Sequence, residues 1–145
     1  MSQDASSTLR GKCFCGRVQY EVREPLKFVA HDHCSMCRRL HGAAFVTWSG
    51  VPETQFRVLT GQDELKSFAS SAAATRQFCG HCGTQMFFRS TRWPGEVHFT
   101  YVSLEPTPER KPSAHVFFSD RVPWIEIKDS LKKLGGASGT EPLEA

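Results

Sequence analysis

Six cysteines stand at positions 13, 15, 34, 37, 79 and 82 of this 145-residue chain. They fall into close pairs: Cys13-Phe-Cys15, Cys34-Ser-Met-Cys37 and Cys79-Gly-His-Cys82. A tetrahedral zinc ion takes such pairs from single turns, because thiolates one to four residues apart reach the same point. Glycine follows the second cysteine in two of the pairs, at Gly16 and Gly83. A glycine at positive φ lets the turn curl until backbone N–H groups face the sulfurs. Cys34 and Cys37 lack this signature and are followed by Arg38. The spacing therefore predicts one closed four-thiolate zinc site from Cys13, Cys15, Cys79 and Cys82, stapling the N-terminal region to the middle of the chain.

Two other chemistries use paired cysteines. Disulfides persist in oxidising compartments, but residues Met1 to Leu9 contain neither the basic nor the apolar segment of a secretory signal. A redox Cys-x-x-Cys opens a helix after a strand. Cys79-Gly-His-Cys82 runs instead into Gly83 and the strand-like Met86-Phe87-Phe88. Zinc in a reducing, cytoplasmic setting is the preferred reading.

The third pair sits among other metal-capable groups, in His31-Asp32-His33-Cys34-Ser35-Met36-Cys37-Arg38-Arg39. A metal held by only two or three protein donors keeps a position open for water or substrate, the arrangement of catalysis or ligand capture. The bland alternative is a pair of buried small hydrophobes on a short helix, with solvated polar neighbours. Arg38 and Arg39 can steer a carboxylate toward such a metal, or serve as plain surface charge. Asp32 is either a ligand or a general base, with His33 the nearest alternative for proton transfer. His81 reads as exposed filler, and Trp48, Trp93 and Trp124 as core or pocket walls.

The elements that must position these groups are mostly strands. Period-two or β-branched runs occupy 18–22, 28–30, 44–48, 56–60, 65–68, 75–78, 86–88, 97–102 and 115–118, separated by short turn signals. Helix signals are confined to 35–41, with Gly42 as the stop, and to 130–134. Prolines at 94, 106, 108, 112 and 123 exclude long helices from the second half. The expected fold is one mainly β domain over residues 9–134 with few short helices, and flexible termini at 1–8 and 135–145. A net charge of +3 is too weak to imply nucleic acid, and no apolar run suits a membrane span, so neither partner is expected.

With these residues in hand, the chain resembles the family of glutathione-dependent formaldehyde-activating enzymes. The matching parts are Gly11-Lys-Cys13-Phe-Cys15-Gly16-Arg-Val18, Cys34-x-x-Cys37-Arg38-Arg39 with Gly42-Ala-Ala-Phe45 and Trp48, Arg76-Gln-Phe78-Cys79-Gly-His-Cys82-Gly83-Thr84, His115-Val-Phe, and Arg121-Val-Pro-Trp124-Ile-Glu-Ile-Lys-Asp129. The resemblance implies a β-tent fold clamped by a structural zinc on Cys13, Cys15, Cys79 and Cys82. It implies a second, catalytic zinc at Cys34 and Cys37. It also implies carbon–sulfur lyase chemistry, the reversible joining of glutathione to formaldehyde as S-hydroxymethylglutathione. The family's second site takes Cys-x-Cys-x-x-Cys, and this chain has Asp32 at the first position. Two outcomes stay open: a site of two thiolates and one carboxylate, or loss of the second metal.

The leading expectation is thus a zinc-dependent lyase acting on a small thiol adduct, with glutathione as partner and Cys34, Cys37 and Asp32 as its reacting site. The alternative is a zinc-stapled ligand- or protein-binding module without catalysis. A metal-free thiol redox protein using Cys34 and Cys37 is a third.

Overall fold

A computed structural model describes residues 7–143. In chain order the strands are β1 (Thr8–Lys12), β2 (Gln19–Arg23), β3 (Phe28–Asp32), β4 (Val46–Pro52), β5 (Phe56–Thr60) and β6 (Leu65–Ala69). They continue with β7 (Ala74–Cys79), β8 (Gln85–Ser90), β9 (Glu96–Thr100), β10 (Ala114–Val116), β11 (Lys132–Gly135) and β12 (Glu141–Pro142). One α-helix among the described residues, α1 (Ser35–His41), follows β3. The protein is mainly β, as its sequence predicts. The chain divides into two compact units: residues to Lys27 with Ser49–Glu109, and Phe28–Trp48 with the chain from Arg110 onward.

In the first unit β1, β2 and β5 form an antiparallel sheet in that order. Alternation explains it: Val18, Tyr20 and Val22 are buried, while Gln19 and Arg23 face solvent. β9, β8, β7 and β6 make a second run of neighbours, with Leu65 opposite Cys79 in the expected β6–β7 hairpin. An aromatic cluster joins the layers. The Tyr20 ring meets Phe87 edge-on at 4.9 Å and lies 5.8 Å from Phe99. Gly11 permits this packing, since a Cβ there would lie 2.5 Å from the Tyr20 ring.

In the second unit β10 pairs in parallel with both β3 and β11. The register sets His115 opposite His31 and Val116 opposite Asp32. α1 ends at Gly42, whose φ of 61° supplies the left-handed turn that the sequence predicts. Its last turn carries Arg38, Arg39 and His41, the charge that a helix C-terminus favours.

Several expectations are corrected. Residues 130–134 form no helix; Lys132–Gly135 is strand β11, because pairing with β10 and β12 outweighs a helical propensity spread over so few residues. The stretch after 135 is not all loose, since β12 pairs with β11 and Phe117 N–H donates to the Gly139 carbonyl. β1 begins at Thr8, inside the span assigned to a frayed terminus, and gains its place from β2. Residues 1–6 and 144–145 lie outside the described residues. Trp48 is buried, but Trp124 is 71% exposed, because it sits in a proline-flanked loop with no strand to carry it inward.

Candidate metal centres

The first cluster is built by two tight turns of the first unit. After β1, Cys13 N–H donates to the Val18 carbonyl and Gly16 N–H to the Cys13 carbonyl. At the end of β7, Cys79 N–H donates to the Thr84 carbonyl and Gly83 N–H to the Cys79 carbonyl. Gly16 and Gly83 have φ of 82° and 85°. No atom lies within 4 Å of a Cβ built on either, so backbone conformation and not space demands glycine.

The turns bring the sulfurs of Cys13, Cys15, Cys79 and Cys82 within 4.8 Å of one another. Cys13 Sγ lies 3.6 Å from Cys15 Sγ, which lies 3.8 Å from Cys79 Sγ. Zinc–sulfur bonds of about 2.3 Å in a tetrahedron place sulfurs about 3.8 Å apart, whereas a disulfide needs about 2.05 Å. The donor set fits a four-thiolate metal site. Its surroundings are those of a thiolate cluster: Val18 N–H donates to Cys13 Sγ at 3.3 Å, and Thr84 Oγ1 lies 3.2 Å from Cys82 Sγ. Burial pushes the Cys82 thiol up, but Thr84 and the backbone N–H groups of Thr84 and Cys15 outweigh it and hold the group at about 5. At Cys15 the Arg17 backbone N–H favours the thiolate; desolvation and the neighbouring thiols of Cys13, Cys82 and Cys79 win, pushing it to about 12. One thiolate forms readily and makes the next costly, a conflict that a bound cation removes.

The second cluster belongs to the second unit. Asp32 ends β3, Cys34 caps α1 and Cys37 lies buried one turn on. The donor atoms of the three lie within 4.8 Å of one another. Asp32 Oδ1 accepts the Cys34 N–H at 2.9 Å, and Oδ2 lies 3.8 Å from Cys37 Sγ, which donates to it. Two thiols and a carboxylate fit a zinc ion with a coordination position left over. Asp32 thus lies with both thiols, the grouping that the sequence suggested for a second site.

The same unit holds a string of hydrogen-bonded histidines. His33 and His115 are each 1% exposed. His33 Nε2 lies 2.8 Å from His115 Nδ1, and His115 Nε2 lies 2.8 Å from Asp129 Oδ2. Asp129 Oδ1 also accepts from Lys133 Nζ and from the Leu131 N–H. The rings of Phe45 and Phe118 pack against His33. Arg38 Nε donates to the His33 carbonyl at 3.2 Å, and the Arg121 guanidinium covers the Phe118 ring at 4.3 Å. Burial, reinforced by His115, His31, Arg121 and Arg38, pushes His33 down to about 4. Burial and His115 lower His31 as well, against the pull of Asp129. The His115 hydrogen bond, with Lys133 and the Leu131 N–H, holds the Asp129 carboxyl well below the usual carboxylate range. The site reading from sequence missed Thr47, which meets His31 Nδ1 at 2.8 Å, and missed the roles of Thr84, His115 and Asp129. No spacing signal marks a contact between residues 33 and 115.

The chain is thus a mainly β protein whose described residues bring together one four-sulfur cluster and one mixed sulfur–carboxylate cluster, each able to hold a metal ion. Comparison with known proteins narrows this description. The family model for the glutathione-dependent formaldehyde-activating enzyme matches residues 8–120, and the chain belongs to that family. A Halomonas elongata protein whose name places it in the same family is 26% identical over 83% of this chain and 81% of its own length. An Aspergillus flavus protein with that family name is 35% identical over 80% of this chain, which spans only 56% of it. A fission-yeast relative, 30% identical over 56% of this chain and 57% of its own, is called an uncharacterized lyase. The crystal structure of a Rhodobacter sphaeroides protein superposes with a TM-score of 0.59 at 25% identity, covering 69% of this chain and 91% of that one. No helix among the described residues is long and apolar enough to cross a membrane.

Proposed function

We propose that the chain is a zinc-dependent carbon–sulfur lyase that joins a small thiol, glutathione above all, to formaldehyde and releases it again. The observation that carries this reading is the second cluster: Asp32, Cys34 and Cys37 offer three donors where the first cluster offers four. Zinc bound there supplies a Lewis acid with one position for the reacting thiol or aldehyde oxygen. In the forward direction the thiol sulfur bonds to the aldehyde carbon, the carbon–oxygen π bond opens, and the thiol proton ends on the new hydroxyl. The reverse step breaks the carbon–sulfur bond and returns that proton to sulfur. The chain's own part is binding and orientation. Asp32 accepts the Cys34 N–H, which fixes the carboxylate beside both thiols. Arg38, anchored on the His33 carbonyl, holds a guanidinium beside the cluster, suited to a carboxylate of the thiol substrate.

Two measurements test the reading. Elemental analysis of protein purified without affinity metal or chelator is expected to give about two zinc ions per chain, falling to about one in Asp32→Ala and Cys34→Ser with folding intact. Saturating glutathione and formaldehyde are expected to form adduct faster with the protein than without it. No acceleration, or about one zinc in all three proteins, would turn the search toward a binding module without catalysis.

A further inference from the structure

Thr84 touches both turns of the first cluster. Its carbonyl accepts the Cys79 N–H at 2.9 Å, inside its own turn. Its hydroxyl oxygen accepts the N–H of Phe14, the residue between Cys13 and Cys15, at 3.0 Å. The same oxygen lies 3.2 Å from Cys82 Sγ. The direction of this last contact follows from chemistry. A backbone N–H only donates, so Phe14 takes a lone pair of the hydroxyl and leaves its hydrogen free to be given elsewhere. A thiolate that holds a metal ion has no proton and only accepts. In the loaded cluster the hydroxyl hydrogen therefore goes to Cys82 Sγ. One side chain thus spans two turns that stand 70 positions apart in the chain.

We propose that Thr84 is a positioning residue of the first metal centre: its hydroxyl accepts the Phe14 N–H and donates to the Cys82 thiolate, tying the two turns together and tightening their hold on the ion they share. The proposal concerns the four-thiolate site alone and does not depend on the lyase reading. Four thiolates around one divalent cation carry excess negative charge, and a donor aimed at a sulfur offsets part of their repulsion. Val18 does this for Cys13 through its main-chain N–H. At Cys82 part of the donation comes from a side chain, which a substitution can remove. Valine has nearly the shape of threonine and lacks only the hydroxyl. Phe14 is exposed, so water can take its N–H in such a variant, and the loss falls on the ion.

The test uses the full chain loaded with cadmium-113 in place of zinc. A four-sulfur cadmium ion resonates well downfield of one that shares its sulfurs with a carboxylate, so the two clusters are read apart. Following the four-sulfur resonance through a titration with a strong chelator gives the affinity of that site. Thr84→Val is expected to lose about 10- to 100-fold in this affinity and to move the resonance. Thr84→Ser keeps the hydroxyl and is expected to restore both. Equal losses in the two variants would overturn the proposal, and so would a Thr84→Val chain with wild-type affinity and an unmoved resonance. Amide exchange on the loaded wild type needs no variant. The Phe14 N–H, although its residue is exposed, is expected to exchange far more slowly than a free-chain amide. Exchange at the free-chain rate would overturn the proposal, as would a loaded wild type without a four-sulfur resonance.

Discussion

Gly16 and Gly83 hold positive φ with open space around them, while Gly61 holds a φ of 79° against the chain itself. A Cβ on Gly61 would lie 2.2 Å from the Arg17 carbonyl oxygen, a backbone atom that does not swing aside. Alanine at Gly16 or Gly83 is therefore expected to cost only the left-handed backbone penalty, about 1–2 kcal/mol. Alanine at Gly61 should cost at least about 2 kcal/mol more, since the clash adds to the same penalty. Denaturant midpoints of the three variants check the order; equal losses would mean that the turns relax freely. Tyr20 presents a second residue-scale case. Ser103 Oγ donates to the Thr100 carbonyl, so the Tyr20 hydroxyl donates to Ser103 at 2.5 Å. Removing it in Tyr20→Phe should cost about 1 kcal/mol and keep the fold, because Ser103 keeps its other bond.

Strands β8 and β9 bring His98 under Trp93 and Phe88, with Glu96 accepting from it at 3.0 Å. Burial lowers the His98 pKa from 6.5 in spite of the Glu96 carboxylate. The sign of the pH effect follows. As pH falls past 6.5 the unfolded imidazole takes a proton before the folded one does, so acid favours unfolding until the lower folded value is reached. Stability is expected to fall as pH drops below 6.5, and the fall should shrink in His98→Asn; thermal unfolding at a series of pH values measures both. Element by element, the antiparallel strands were legible because their signals are local. Val18, Tyr20 and Val22 alternate with polar neighbours, and β6 and β7 flank a short turn. β1 and β11 were not legible. Each is short and carries a Gly or consecutive lysines, so each owes its strand state to the neighbour it meets.

At the scale of the whole molecule the two clusters should respond differently to the same substitution. Cys13, Cys15, Cys79 and Cys82 join turns far apart in sequence, so metal bound there closes a long loop and stabilises the folded chain. Asp32, Cys34 and Cys37 lie within six residues, and little chain is constrained by joining them. Cys79→Ser is expected to lower Tm by on the order of 10 °C, and Cys34→Ser by far less while abolishing turnover. A strong chelator should likewise raise amide exchange at residues 13–18 and 79–84 before it unfolds β10 and β3. Equal Tm losses for the two variants would contradict this division of roles.

The sequence by itself determined what is local. It set the thiol pairs, the glycine turns behind them, the helix Ser35–His41 with its stop at Gly42 and the mainly β class, because spacing and backbone preference act over a few residues. It also marked Asp32 as the odd member of the second cluster. Tertiary structure alone decided which groups meet His33, the residue between Asp32 and Cys34. The parallel pairing of β10 with β3 carries His115 to His33 across 82 positions, and Asp129 arrives from a loop beyond it. Such contacts leave no period in the chain. They exist because the backbone of β3 finds hydrogen bonds on β10, and the side chains then meet wherever that register sets them.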